Sequence, residues 1–100
     1  MGGGASSLEE LKRSARLFDL LGHPVRLAIV RYMCRNREAY WSDIVEYLES
    51  IFGRMNPNTV NFHITRLVMD GVLEKRDNKY VLVEGAIDPR MFNVLVEEAG

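Results

Sequence analysis

The sequence predicts a mainly α-helical chain closed by a β-hairpin: an α+β protein in the order α-α-α-α-β-β-α, with room for a short extra strand near residues 39–41. Three observations predict it. Apolar residues recur at helical spacing in four separate stretches between Leu8 and Leu67. Gly, Pro or Asn stands where those stretches should stop and start. Beyond the fourth stretch, two strand-like runs flank Asp77-Asn78, a pair that tolerates the positive φ of a tight turn.

Each element follows from local chemistry. Residues 1–6 open with Met-Gly-Gly-Gly and read as a flexible tail. Ser6 and Ser7, followed by Glu9 and Glu10, offer two overlapping capping boxes for a first helix. Leu8, Leu11, Ala15 and Phe18 then repeat at three-four-three spacing, a seam for another helix. Gly22 ends this helix, and Pro24 suits the first turn of the next. The second helix, VRLAIVRYMC, is apolar on two sides. Val25, Ala28, Ile29, Tyr32 and Met33 form one stripe, and Leu27, Val30 and Cys34 the other, which makes the helix central.

After a polar break at Asn36 to Glu38, Ala39-Tyr40-Trp41 has strand character, and Ser42 is a suitable N-cap for the third helix. Ile44, Val45, Leu48, Ile51 and Phe52 form its apolar face, and Gly53 ends it. Asn56 caps a fourth helix with Pro57 at its first position; it runs to about Asp70, and Gly71 is the stop. Val72 to Arg76 and Lys79 to Val83 make the hairpin. Asp88-Pro89 opens a last helix carrying Met91, Phe92, Leu95, Val96 and Ala99. A helix that short is marginal alone and must dock on its own domain or on a second subunit.

With 100 residues, the chain supports one domain around a single core, taken as residues 7–100. Apolar residues at 47% and charged residues at 27% exclude a disordered composition. No apolar run approaches a membrane span and no signal-peptide pattern opens the chain, so no membrane partner is expected. A single cysteine, Cys34, cannot form an internal disulfide, which points to a reducing cytoplasm. The net charge of −1 counts against a strong general affinity for nucleic acid. Charge is nevertheless uneven: residues 51–80 carry five basic against three acidic side chains, and residues 81–100 one against four.

The mildly basic stretch contains the fourth helix, NPNTVNFHITRL. With Val60, Ile64 and Leu67 turned inward, Asn58, Phe62, Thr65, Arg66 and Met69 point away and Thr59 and Asn61 lie on the flanks. A plain solvated face does not favour Phe62. Amides, hydroxyls, one Arg and an apolar ring suit a major groove, where Asn pairs with adenine, Arg with guanine, and an apolar group meets a thymine methyl. The alternative use of Phe62 is as a protein–protein anchor.

Two segments carry a family resemblance. LFDLLGHPVRLAIVRYM, starting at Leu17, resembles the opening of ArsR-type winged-helix repressors, and NTVNFHITRLVMDGVLEK (58–75) resembles their recognition helix and first wing strand. Val60, His63, Ile64, Leu67, Gly71 and Val72 fall where that pattern has Val, His, Leu, Leu, Gly and Leu. The match covers about residues 17–83. It implies a winged helix-turn-helix fold, a homodimer, binding of double-stranded DNA and repression of transcription. Its implied dimer contacts come from the first and last helices, where the residues above left unused seams at Leu8, Leu11, Ala15 and Phe18 and at Met91, Phe92 and Leu95. The chain departs from the metal-sensing members: Trp41-Ser42-Asp43-Ile44 stands where they carry a Cys-x-Cys pair, and the last helix has no His. The third helix is about one turn longer than usual, and Phe62 replaces a polar or basic residue.

The resemblance implies a phosphate or base contact for His63; a packed, hydrogen-bonded histidine is the other option. Arg76 and Lys79 flank the hairpin turn and can reach phosphate or the minor groove, or simply blunt an edge strand. Arg26 suggests a structural ion pair with Asp19 or Asp43. Cys34 is expected to be buried and inert, and Tyr40-Trp41 to act as a hydrophobic staple or core. The expected DNA-binding set is thus Asn58, Thr59, Asn61, Phe62, His63, Thr65, Arg66, Arg76 and Lys79. No catalytic cluster, metal site or cofactor is expected from two histidines and one cysteine. The expectation is a dimeric DNA-binding repressor; a winged helix used as a protein-interaction module is the alternative.

Overall fold

The computed structural model describes residues 4–88 and Arg90. The last helix, with Met91, Phe92 and Leu95, lies outside the described residues. Four helices and a three-stranded antiparallel sheet are arranged as α1 (Gly4–Leu20), α2 (Pro24–Asn36), β1 (Glu38–Tyr40), α3 (Trp41–Phe52), α4 (Pro57–Met69), β2 (Leu73–Arg76) and β3 (Lys79–Leu82). The α+β, winged-helix-like class expected from the sequence is what the chain adopts. Among the described residues no helix is long and apolar enough to cross a membrane.

The helix limits follow from capping. At α2, the N-cap is His23, whose Nδ1 accepts from Val25 N–H at 3.2 Å, with Pro24 in the first turn. At α4, Asn56 Oδ1 accepts from Asn58 N–H at 2.8 Å, as its sequence position predicts. The same helix ends in a Schellman motif: Val72 N–H reaches Leu67 O at 2.9 Å and Gly71 N–H reaches Val68 O at 3.0 Å. Gly71 takes φ 78°, the left-handed conformation that this motif demands. Two starts differ from expectation. Helix α1 begins at Gly4, so Ser6 and Ser7 lie within it instead of capping it; no Pro or β-branched residue interrupts Gly-Ala-Ser-Ser. Helix α3 begins at Trp41, with Tyr40 and not Ser42 at the N-cap. Asp43, in the first turn, accepts the Tyr40 N–H at 3.0 Å, and that bond fixes the earlier start.

The extra strand is real and lies at 38–40. It pairs with β3 in the register Glu38↔Val81, Ala39↔Tyr80 and Tyr40↔Lys79. β3 is therefore the central strand, between β1 and β2. The hairpin register, Leu73↔Leu82 to Arg76↔Lys79, leaves Asp77-Asn78 as a two-residue turn, with the positive φ (57°) taken by Asp77 alone of the pair. Arg37, at φ 71°, makes the bend from α2 into β1: its N–H closes on Met33 O at 2.7 Å and its carbonyl accepts Leu82 N–H at 3.0 Å.

The core is built on α2, which packs against α3, α4 and the sheet. Ile29, Val30 and Met33 are fully buried with Ile44 and Leu48 of α3, Val60, Ile64 and Leu67 of α4, and Leu73 of β2. Burying a side chain of this size is worth about 1.5–3 kcal/mol. Both predicted stripes of α2 contribute, although Leu27 stays exposed and Tyr32 is half-buried. On α3 the expected apolar face is cut short, because Ile51 and Phe52 are exposed where the last turn emerges from the core.

Candidate nucleic-acid interface

Helix α4 divides cleanly into two sides. Val60, His63, Ile64 and Leu67 are buried; Asn58, Thr59, Asn61, Phe62 and Thr65 are exposed. Phe62 keeps 60% of its surface in solvent, and Met69, at the far end of the same side, keeps 77%. The outward group thus carries two amides, two hydroxyls and a phenyl ring. Among the expected contacts, His63 is the exception, since at 4% exposure it faces inward. An i to i+3 step from Val60 brings it onto the buried stripe, so the packed arrangement is the one observed.

The surroundings of His63 explain its state. Its Nδ1 lies 3.2 Å from Nη1 of Arg26. A guanidinium can only donate, so Nδ1 is the acceptor and the ring proton sits on Nε2. The His23 ring stacks at 4.3 Å between centroids, and Phe62 meets the His63 ring edge-on at 5.2 Å. Burial, then His23, then Arg26 push the His63 pKa below its ordinary value, so the ring is neutral. Arg26 itself pairs with neither Asp19 nor Asp43. Its Nε–H donates to the carbonyl of Leu20 at the end of α1, and the guanidinium spans from there to His63 on α4. The helix-end carbonyl, which lacks an intrahelical partner, takes the place expected of a carboxylate.

The basic side chains are held but not buried. Arg66 Nε is 3.2 Å from Asp70 Oδ2, one helical turn on, and its Nη2 is 4.0 Å from Asp19. At the hairpin, Arg76 pairs with Glu74 at 3.3 Å and Lys79 with Glu38 at 3.5 Å. Lys79 also sits 5.3 Å above the Tyr40 ring. Exposed pairs of this kind contribute roughly 0–1 kcal/mol, so an incoming phosphate can displace the carboxylates at little cost. Arg76 and Lys79 face each other next to the turn, as the hairpin register dictates.

One contact was not foreseen from the sequence. The indole N–H of Trp41, first residue of α3, donates to Asn61 Oδ1 at 2.7 Å. Trp41 also packs on the core, as expected of it, but its polar edge ties α3 to the outward side of α4. An aromatic residue bearing a donor, set where α3 begins, was the only available hint. Cys34 is buried, and burial pushes its thiol pKa up, with Arg37 opposing; a thiol in that state is a weak nucleophile. Among the described residues no three His, Cys, Asp or Glu side chains are grouped to hold a metal ion.

Helix α1 carries a second exposed apolar feature. Leu8, Leu11 and Phe18 are 53%, 67% and 61% exposed and Ala15 is exposed between them. The seam remains uncovered by any described part of the chain, whereas Leu20 and Leu21 at its end are buried. Comparison with protein-family models, with curated proteins and with solved structures finds no match for this chain.

Proposed function

We propose that this chain is a sequence-specific regulator of transcription, of repressor type, that binds double-stranded DNA as a homodimer in the cytoplasm. Helix α4 enters the major groove with Asn58, Thr59, Asn61, Phe62, Thr65 and Arg66 toward the bases and the flanking phosphates. The hairpin acts as a wing, with Arg76 and Lys79 on adjacent backbone. The observation that carries the reading is the exposed Phe62. A large apolar group standing among amides and hydroxyls on the outer side of a capped helix has its natural counterpart in a thymine methyl beside base-edge donors and acceptors.

The exposed seam of α1 supports the homodimer, since a two-fold axis lets one copy cover the other. Two-fold symmetry calls for a pseudo-palindromic site with half-sites about one helical turn apart. Few cations reach DNA from each protomer, so affinity should fall less steeply with salt than for a strongly basic domain. The proposal involves no catalytic step, metal or cofactor.

A second reading has an observation of its own. Phe62 and Met69 together give α4 an apolar exposed side on a chain of net charge −1, which also suits a protein partner in a transcription or chromosome complex. Selection of bound sequences from a random DNA pool separates the two. Enrichment of a two-fold motif supports the regulator; absence of enrichment at low salt favours the interaction module.

A further inference from the structure

Trp41 and Asn61 lie twenty positions apart in the chain and meet at 2.7 Å. The chemistry of this contact has only one solution. An indole nitrogen is a donor and cannot accept; an amide NH2 is likewise a donor. The atom of Asn61 facing Trp41 must therefore be the oxygen, which fixes the amide's orientation. The NH2 end is left for an outside acceptor, on a residue that is itself exposed. Adenine recognition by Asn needs the oxygen and the NH2 of one amide edge offered together to N6 and N7. Here the indole N–H already takes one of the oxygen's two acceptor positions, which anchors the amide plane and sets the ring beside the oxygen.

We propose that Trp41 is a positioning residue for base recognition: by holding the oxygen of Asn61, it presents the Asn61 NH2 to the groove as a donor. Asn61 then reads an acceptor edge, guanine O6 and N7 or thymine O4, in place of the two-point contact with adenine. This rests on the assignment of α4 to the major groove. It adds a residue of α3 to the recognition surface, and it replaces the adenine preference that an isolated Asn on such a helix would suggest. Asn58, whose backbone N–H is engaged by the Asn56 cap, has no such tie on its amide among the described residues and keeps either option.

The test is selection from a random DNA pool with the full chain and three variants. Wild type should enrich guanine or thymine over adenine by about 10-fold at one position of each half-site, a ratio within the range of one good base contact. Asn61→Ala should erase the preference at that position alone. Trp41→Phe keeps the ring that packs on the core and removes only the N–H; adenine should rise there to parity or above, with other positions unchanged. Asn61→Asp, at an exposed site that does not endanger folding, still accepts from Trp41 but turns an acceptor outward, so cytosine should gain at the same position. A Trp41→Phe protein that binds DNA with the wild-type preference at every position overturns the proposal. So does adenine as the wild-type choice where Asn61→Ala loses selectivity. Absence of any enriched motif with wild type overturns the groove assignment itself and this inference with it.

Discussion

Removing Phe62 and Arg66 together separates binding from folding. Phe62 has 60% of its surface in solvent, so the folded chain gains from the remaining two-fifths only. Scaled from the burial of a whole ring, that is about 0.6–1.2 kcal/mol. The edge-on contact with His63 adds roughly half a kcal/mol at so exposed a site. Arg66 contributes an exposed pair with Asp70, worth about 0–1 kcal/mol. The double variant Phe62→Ala, Arg66→Ala should therefore unfold in urea within about 3 kcal/mol of wild type. On DNA the balance is different. Covering the rest of the ring is worth about 1–2 kcal/mol per protomer, or roughly 5–30-fold in affinity. An Arg contact to guanine adds about 1–3 kcal/mol. With two protomers engaged, binding to a selected operator should weaken at least about 10²-fold in a fluorescence anisotropy titration. A variant that folds and binds that operator within twofold of wild type would remove the outer side of α4 from the recognition surface.

Other expectations are narrower. Asn56→Ala removes the side-chain cap of α4 and should cost about 1 kcal/mol in urea unfolding, with little effect from Asn56→Asp. Gly71→Ala meets no atom within 4 Å but must hold φ 78°, so a loss of about 1 kcal/mol by strain alone should appear in the same assay. The His63 pKa is lowered in the folded chain, so its contribution is complete above the unfolded value, near 6.5. It declines as pH falls below that, and stops declining once the folded-state pKa is passed. Unfolding free energies from urea titrations between pH 7 and pH 5 should therefore drop for wild type with a slope from this group of at most about 1.4 kcal/mol per pH unit, and Asn or Gln at position 63 should flatten that part of the profile. Leu11→Glu with Phe18→Glu should give a monomer in sedimentation velocity at a concentration where wild type is dimeric; an unchanged dimer would exclude the α1 seam as its interface.

What was legible in the sequence was what local chemistry decides. The Asn56 cap, the Gly71 stop and the Asp77-Asn78 turn each depend on a few neighbouring residues. So does the inward stripe of α4. The start of α3 was misplaced because two short polar side chains, Ser42 and Asp43, both favour helix starts, and the choice fell to the acceptor that reaches back to Tyr40. The site itself was legible in part. The exposed set on α4 follows from spacing, but one apolar stripe of three residues is too narrow to tell which edge His63 joins. That was decided by Arg26 and His23, 37 and 40 positions away in the chain and brought near by the packing of α2 on α4. The partner of Arg26 was missed for a related reason: a carbonyl at a helix end has no signature in the sequence. The contact between Trp41 and Asn61 depends on how two helices sit together, which no pattern along the chain encodes.

The span of Arg26 from Leu20 to His63 carries a consequence for how this sequence can drift. The guanidinium offers two nitrogens in a fixed fork to two acceptors on different helices. Lysine brings one nitrogen and a larger hydration shell, and cannot reproduce that geometry. Replacing Arg26 alone would strand the imidazole nitrogen of His63 and the terminal carbonyl of α1 together. Related chains should therefore change positions 26 and 63 as a pair, so that their joint variation, more than the constancy of either, would trace this link from one generation of sequences to the next.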